Sequence, residues 1–370
     1  MKFTVTSGEL LKALNKIFGV VPAKSSMPIL ENILFELNSN TLTLSATDIE
    51  LYSSVSMDVN GSNDGSITVP AKRLMDTVRA LPNTSLVFQA DTESNKITMI
   101  TETGEYSITG VSAEEFPKFP EISENKKMSL DATVLREVIN KTVFAVSKDE
   151  LRPSLMGVLF RFRENAMTAV ATDGHRLVKF ESSSFSSTVD TDIIIPAKAL
   201  AALLKLTEVG EIQISSNDSH IRFLSGTSVL ASRVIDETYP NYESVIPKEN
   251  NLEMIISRDQ LLHALRRVSL YANTTTHQIR FAMRENSLTV SAEDVDQGSQ
   301  AKEKIACSYK ENDLDIGFNA NYINDVLTHI EDDNICFRFS GPTKAGIIEP
   351  EKQSEASSLL MLTMPLRLNN

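Results

Sequence analysis

The sequence predicts an α+β protein in which one unit, two helices packed on antiparallel strands, occurs three times in tandem. Two recurring phrases, a repeated order of elements and a segregation of charge carry this reading. The first phrase is TVPAKRLMDTVRAL at 68–81, which returns as IIPAKALAALLKL at 194–206. Pro70 and Pro196 lie 126 residues apart, and GFNANYINDVLTHI at 317–330 reads as a third, eroded copy, with Ala320 lying 123 residues beyond Ala197. The second phrase is LTLSATDIE at 42–50, MTAVATDGH at 167–175 and LTVSAEDVD at 288–296, so Asp48, Asp173 and Asp294 are spaced by 125 and 121 residues. Two independent phrases with nearly one period indicate triplication. The resulting domains are 1–125, 126–250 and 251–370.

Each unit opens with a short strand, at 2–6, 127–130 and 252–256. A helix follows in each. At 8–18 the apolar residues Leu10, Leu11, Leu14, Ile17 and Phe18 recur at helical spacing, with Ser7 as the expected N-cap. At 132–144 the stripe is Val134, Leu135, Val138 and Ile139; at 257–268 it is Leu261, Leu262, Leu265 and Val268. Alternating strands come next, such as 33–37 and 41–46. The Pro-Ala-Lys phrase then starts a second helix, with proline near the first turn, where its missing N–H costs little. Residues 114–125 and 236–251, rich in proline and polar side chains, read as extended linkers. The three repeated aspartates belong to different units and are expected to cap turns at strand ends.

The net charge is −13, which alone argues against nucleic acid. The distribution answers the objection. The six helical windows, 8–18, 71–81, 132–144, 197–206, 257–268 and 319–330, hold 12 Lys or Arg and 5 Asp or Glu, a net of +7 that leaves −20 elsewhere. Lys12, Lys16, Arg73, Arg79, Arg136, Lys141, Lys198, Lys205, Arg266 and Arg267 fall off the apolar stripes. Exposed helix faces are often Lys-rich, but here the pattern recurs and opposes the global charge. Only the sixth window, at net −1, departs from it. A positive helical lining in an acidic shell attracts phosphate only where the lining faces.

Other classes find little support. No apolar run of about 18 residues is present, so no membrane span is expected. The start, from Met1 to Val5, lacks a secretory signal. Two cysteines, Cys307 and Cys336, without metal-ligand spacing, suggest a reducing compartment and a cytoplasmic protein. Five histidines form no His-Glu-x-x-His pair, and neither a Gly-x-Ser-x-Gly elbow nor a phosphate-binding loop occurs. An enzyme is not expected, nor any metal or cofactor. The alternative, a non-catalytic repeat scaffold or adhesin, calls for a signal peptide and Ser/Thr/Gly-rich turns, and has no use for basic helices.

Over its full length the chain resembles the bacterial sliding clamp family, the beta subunit of DNA polymerase III. The resemblance rests on Thr172-Asp173-Gly174-His175-Arg176-Leu177, on the two Pro-Ala-Lys phrases, and on the tail Met364-Pro365-Leu366-Arg367-Leu368. The family's tail is Met-Pro-Met-Arg-Leu-like; here Leu366 replaces one methionine, a volume-conserving change, and Asn369 and Asn370 follow. The resemblance implies three tandem DNA-clamp domains, paired head to tail in a homodimer to close a six-domain ring, with helices lining the hole. It places Tyr106 and Ile108 on one side of the dimer interface, and Leu270 and Tyr271 on the other. Sequence-independent contact with double-stranded DNA would fall to Lys24, Arg73, Arg79, Lys148, Arg152, Lys198, Lys205, Arg266 and Arg267. A partner-peptide groove would be built from Leu155, Thr172, Gly174, His175, Arg176, Leu177, Pro240, Val245, Leu362, Met364, Pro365 and Leu366, with His175 and Arg176 as polar edges. Its implied partners are the DNA polymerase III catalytic subunit, the clamp loader complex, which would use the ATP, and other polymerases and repair proteins. They would insert short hydrophobic motifs. Whether helix 319–330 contacts DNA is left open.

Overall fold

The computed structural model describes residues 1–122, 126–185, 190–207 and 209–368; Asn369 and Asn370 lie outside the described residues. Six helices are named here: α1 Ser7–Ile17, α2 Ala71–Ala80, α3 Ala132–Thr142, α4 Ala197–Leu206, α5 Arg258–Val268 and α6 Ala320–Thr328. They lie within a residue or two of the expected windows. Contacts divide the chain into two compact units. One holds chiefly Met1–Arg136 and Ile195–Asp236, the other chiefly Glu137–Ser186 and Glu237–Asn370.

The helix starts follow local chemistry. Thr6, not Ser7, caps α1: its hydroxyl accepts from Glu9 N at 3.2 Å, and the Glu9 carboxylate accepts from Thr6 N at 3.4 Å. Ser7 is already helical and buried. Its hydroxyl donates to the Pro82 carbonyl at 2.7 Å and accepts from Thr84 N at 3.0 Å, so it is unavailable as a cap. Pro70 and Pro196 are the N-cap residues of α2 and α4. Every helix buries one apolar stripe. In α2 it is Leu74, Met75 and Val78; in α5 it is Leu261, Leu262, Leu265 and Val268. Burying each such side chain stabilises by about 1.5–3 kcal/mol. In the first unit α1 packs against α2 and α4; in the second α5 packs against α6.

Among the described residues the first unit carries a five-stranded and an eight-stranded sheet, the second a nine-stranded and a four-stranded sheet. The large sheets join different repeats. Leu51–Asp58 pairs with Ser228–Arg233, in register from Leu51↔Ser232 to Val55↔Ser228. Arg176–Ser182 pairs with Ser357–Thr363, in register from Arg176↔Thr363 to Ser182↔Ser357. The middle repeat thus lends strands to both neighbours, which is why the compact units divide it.

The three repeated aspartates do cap turns. Asp48 Oδ1 accepts from Leu51 N at 2.8 Å, Asp173 Oδ1 from Arg176 N at 3.0 Å, and Asp294 Oδ1 from Asp296 N at 3.0 Å. The residue after the aspartate takes a left-handed backbone in the first two turns: Gly174 at φ 91° and Ile49 at φ 83°. Glycine accepts this freely, whereas a β-branched isoleucine is strained by about 1–2 kcal/mol.

The expected linkers prove to be packed segments. Phe116 is buried, and the Phe119 ring lies 5.7 Å from Tyr52; residues 123–125 of this stretch are outside the described residues. In the other stretch Tyr242 is buried and opens a short 3-10 turn, Tyr242–Val245. Aromatic side chains supply the apolar area that holds extended chain down.

Candidate functional site

The turn after strand Ala166–Thr172 is the centre of the site. Thr172 Oγ1 donates to the Arg176 carbonyl at 2.6 Å and accepts from Gly174 N at 3.1 Å, which closes the hairpin tightly. His175 is exposed at its tip, and its carbonyl accepts from Met364 N at 2.8 Å, tying the C-terminal tail to the turn. Farther along the tail, Leu366 N donates to the Gly317 carbonyl at 2.8 Å. A Cβ at position 317 would meet the Leu366 carbonyl oxygen at 2.7 Å, so only glycine admits the tail this closely.

The floor is apolar. Leu177 and Leu362 are cross-strand partners, and both are buried, as is Leu155. Cross-strand pairs of this kind knit a sheet face. The exposed members are Gly174, His175, Pro240, Val245 at 50 % and Met364 at 41 %, with Thr172, Pro365 and Leu366 half-buried. The 236–251 stretch places Pro240 and Val245. The Tyr239 hydroxyl donates to the Val170 carbonyl at 3.3 Å, and burial drives its pKa well up. Arg161 donates to the Tyr242 hydroxyl at 3.0 Å and lies over its ring.

Arg176 is not a free polar edge. It is only 9 % exposed and is held on every side. Its Nε donates to Asp173 at 3.1 Å, one terminal nitrogen to Asp325 at 2.5 Å, and the other to the Phe144 carbonyl at 2.8 Å. The guanidinium also lies over the rings of Phe144 and Tyr322, at 5.3 and 5.0 Å. A buried guanidinium needs such saturation, and its planar fork supplies it. Tyr322 in turn stacks on His175 with ring centroids 5.8 Å apart, and burial and the Asp173 carboxylate raise the Tyr322 pKa. His329 stacks on Phe144 at 3.9 Å. Sequence reasoning missed Tyr322, Asp325 and His329. The available signal was their i, i+3, i+7 spacing, which puts Tyr322 and Asp325 of α6 and its C-cap His329 on one side, beside the buried stripe of Ile323, Val326 and Leu327.

The basic residues divide into two groups. Lys24, Arg73, Arg79, Lys148, Lys205 and Arg266 are exposed, with no ion-pair partner among the described residues. The others are engaged. Lys198 pairs with Asp48, Arg267 with Glu303 through two bonds of 2.7 and 2.6 Å, and Arg152 with Asp149 at 2.9 Å. A Cβ on Gly174 would stand 3.0 Å from the Arg152 guanidinium, so Arg152 belongs to the surroundings of the hairpin turn. Lys141 is buried against Glu331 at 3.0 Å, and Arg136 donates to the Thr207 carbonyl; neither offers the free charge its helical position suggested.

Two of the sheets' end strands hold or adjoin the expected interface residues. Strand Glu105–Thr109 ends the five-stranded sheet, and Ser299–Ala306 ends the four-stranded one. Beside the first lies a cleft of about 930 Å³ between α2 and Tyr106, Ile108 and Thr109. Near the second, Leu270 and Tyr271 are 80 % and 45 % exposed. No helix among the described residues is long and apolar enough to cross a membrane.

Three α+β repeats with basic helices, inter-repeat sheets and a hairpin-and-tail site define the class of the DNA sliding clamps. Three family descriptions match in series: DNA polymerase III beta subunit, N-terminal domain at residues 1–120, central domain at 129–241 and C-terminal domain at 243–365. The chain belongs to the DNA polymerase III beta subunit family, the processivity factors of DNA polymerase. It is 29 % identical to the beta sliding clamp of Vibrio cholerae over 371 residues, and 30 % identical to that of Synechococcus elongatus over 382 residues, covering both chains fully in each case. Among solved structures, the Pseudomonas aeruginosa clamp bound to griselimycin is similar at 28 % identity and a TM-score of 0.93, with full coverage of both chains. The Thermotoga maritima beta subunit is similar at 26 % and 0.93, again with full coverage.

Proposed function

We propose that this processivity factor works, without catalysis of its own, as a cytoplasmic homodimer. Each protomer contributes three clamp domains, bounded near 1–125, 126–250 and 251–370, to a ring that encircles duplex DNA. The observation that carries the reading is the free positive charge. Lys24, Arg73, Arg79, Lys148, Lys205 and Arg266 stay exposed, with no ion-pair partner among the described residues, in a chain of net charge −13. Diffuse contacts to phosphate hold DNA without reading bases, which permits sliding. Arg152, Lys198 and Arg267 would contribute only by releasing their carboxylates. The hairpin turn and tail serve as the partner groove, for the polymerase III catalytic subunit, the clamp loader and other polymerases and repair proteins in turn. Griselimycin, which binds the Pseudomonas aeruginosa and Bartonella birtlesii clamps, is expected to bind here as well.

The test is topological. Protein loaded on nicked circular plasmid by a bacterial clamp loader with ATP, then freed of unbound protein, should remain on circles and leave once they are linearised. Retention on linear DNA would mean that an open groove holds it and that no ring closes.

These two end strands suit a head-to-tail dimer, a heterologous contact that closes. Tyr106 and Ile108 pair with buried Met99 and Ile97, so Glu105 and Ser107 occupy the other face. Glu303 and Ile305 pair with buried Val290 and Leu288, so Lys302 and Lys304 occupy the other face. A sheet continued from one edge into the other keeps these faces, since a one-residue slip would invert every side chain. Glu105 then meets a lysine of the second protomer. Exposed pairs contribute at most about 1 kcal/mol, and like charges opposite one another are unfavourable by a similar amount. Glu105→Lys is therefore expected to cost roughly fivefold at each of the ring's two interfaces, about 25-fold in the dimer by sedimentation, and K302E with K304E to restore it. A dimer indifferent to both changes would rule out this register.

A further inference from the structure

We propose that Asp325 is a positioning residue for the partner groove, acting through Arg176 on the His175 rim. The inference rests on the groove reading above. α6 is unlike the other helices: its window at 319–330 holds no lysine or arginine. Its polar face is spent on the hairpin instead. Asp325 takes one terminal nitrogen of Arg176 at 2.5 Å, while Asp173, inside the turn itself, takes Nε at 3.1 Å. The guanidinium is thus stretched between the turn and α6, and the Phe144 carbonyl takes its third direction at 2.8 Å.

One helical turn before Asp325, Tyr322 lies under the same guanidinium at 5.0 Å and stacks on His175 at 5.8 Å with an interplanar angle of 13°. One turn after it, His329 bonds the Asp325 carbonyl through Nδ1 at 2.7 Å and stacks on Phe144, over whose ring the guanidinium lies at 5.3 Å. The exposed imidazole at the groove rim is therefore oriented by a buried cation whose own orientation is set from α6. Among the described residues the Asp325 side chain bonds Arg176 and no exposed groove residue, and the route to the rim runs through Arg176 and the Tyr322 ring beside it. Held side chains bind with less ordering to complete, which is how a supporting shell raises affinity.

Griselimycin, titrated calorimetrically into the full-length protein, reads the effect. Asp325→Asn keeps the shape and removes the charge, and should weaken binding roughly tenfold, as coupled members of one network do. Asp325→Glu should recover part of the loss. In a cycle with His175→Ala, the second substitution should cost little once the first is made. A role in stability alone would lower the melting temperature of Asp325→Asn and leave affinity unchanged well below it. Parent-like affinity in Asp325→Asn, or a loss that simply adds to that of His175→Ala, overturns the positioning role while the groove reading stands. Failure of the parent protein to bind griselimycin overturns both.

Discussion

Arg176→Ala is expected to lower the unfolding free energy by about 3 kcal/mol and to abolish groove binding with it. The side chain is 9 % exposed and makes three charge-assisted or carbonyl bonds, to Asp173, Asp325 and Phe144. Its removal leaves the Phe144 carbonyl and one Asp173 oxygen without their donor, and strips a cation from the rings of Phe144 and Tyr322. Asp325 is 42 % exposed as a side chain and recovers water, which keeps the loss at the lower end for a broken buried pair. Arg176→Lys should fall between the two, because a single ammonium cannot reach three acceptors and cannot stack flat on Phe144 and Tyr322. Urea unfolding of the three proteins decides it. Equal midpoints for the parent and Arg176→Ala would show the guanidinium to be a dispensable surface charge.

The second large effect lies in the tail. Met364→Ala combined with Leu366→Ala should remove griselimycin and partner-peptide binding and leave the dimer intact. Met364 is 41 % exposed although large and apolar, and Leu366 is half-buried. The backbone bonds that seat the tail, Met364 N to the His175 carbonyl and Leu366 N to the Gly317 carbonyl, survive the substitutions. Adaptable apolar side chains on a fixed backbone can mould to a peptide, and truncating two that act as hot spots costs about 2 kcal/mol or more each. Together they amount to roughly a thousandfold in affinity. Unchanged binding in the double variant would move the partner site elsewhere on the chain.

These two expectations mark where local pattern stops being informative. The resemblance carried by the Thr-Asp-Gly-His turn and the Met-Pro tail assigned Arg176 and Met364 to one groove, and the bond from Met364 N to the His175 carbonyl brings the two strings together. The opposite states of Arg176 and Met364 were not legible. Arg176 is buried by Asp325, 149 residues away, and Met364 is left exposed because Thr363 is the last residue to pair with the Arg176–Ser182 strand. Lys141 makes the same point. It belongs to a helix whose polar face reads as basic, yet it is buried in the fold and paired with Glu331 of another repeat.

By itself the sequence determined the triplication, the six helices with their apolar stripes, the turns capped by Asp48, Asp173 and Asp294, and the concentration of positive charge on helices. The triplication follows from phrases that recur every 121–126 residues; the helices and the capped turns follow from spacing within about 15 residues, where 3.6-residue and two-residue periods and side-chain-to-backbone bonds act. Only the tertiary structure decided which strands of different repeats pair, and so which strands end the sheets and how the middle repeat is shared. It alone decided that Thr6 rather than Ser7 caps α1, that the proline-rich stretches pack, and that α6 faces the hairpin. Each of these depends on a partner distant in sequence, and neither the register of a long-range pair nor the burial of a charge leaves a trace in the local pattern.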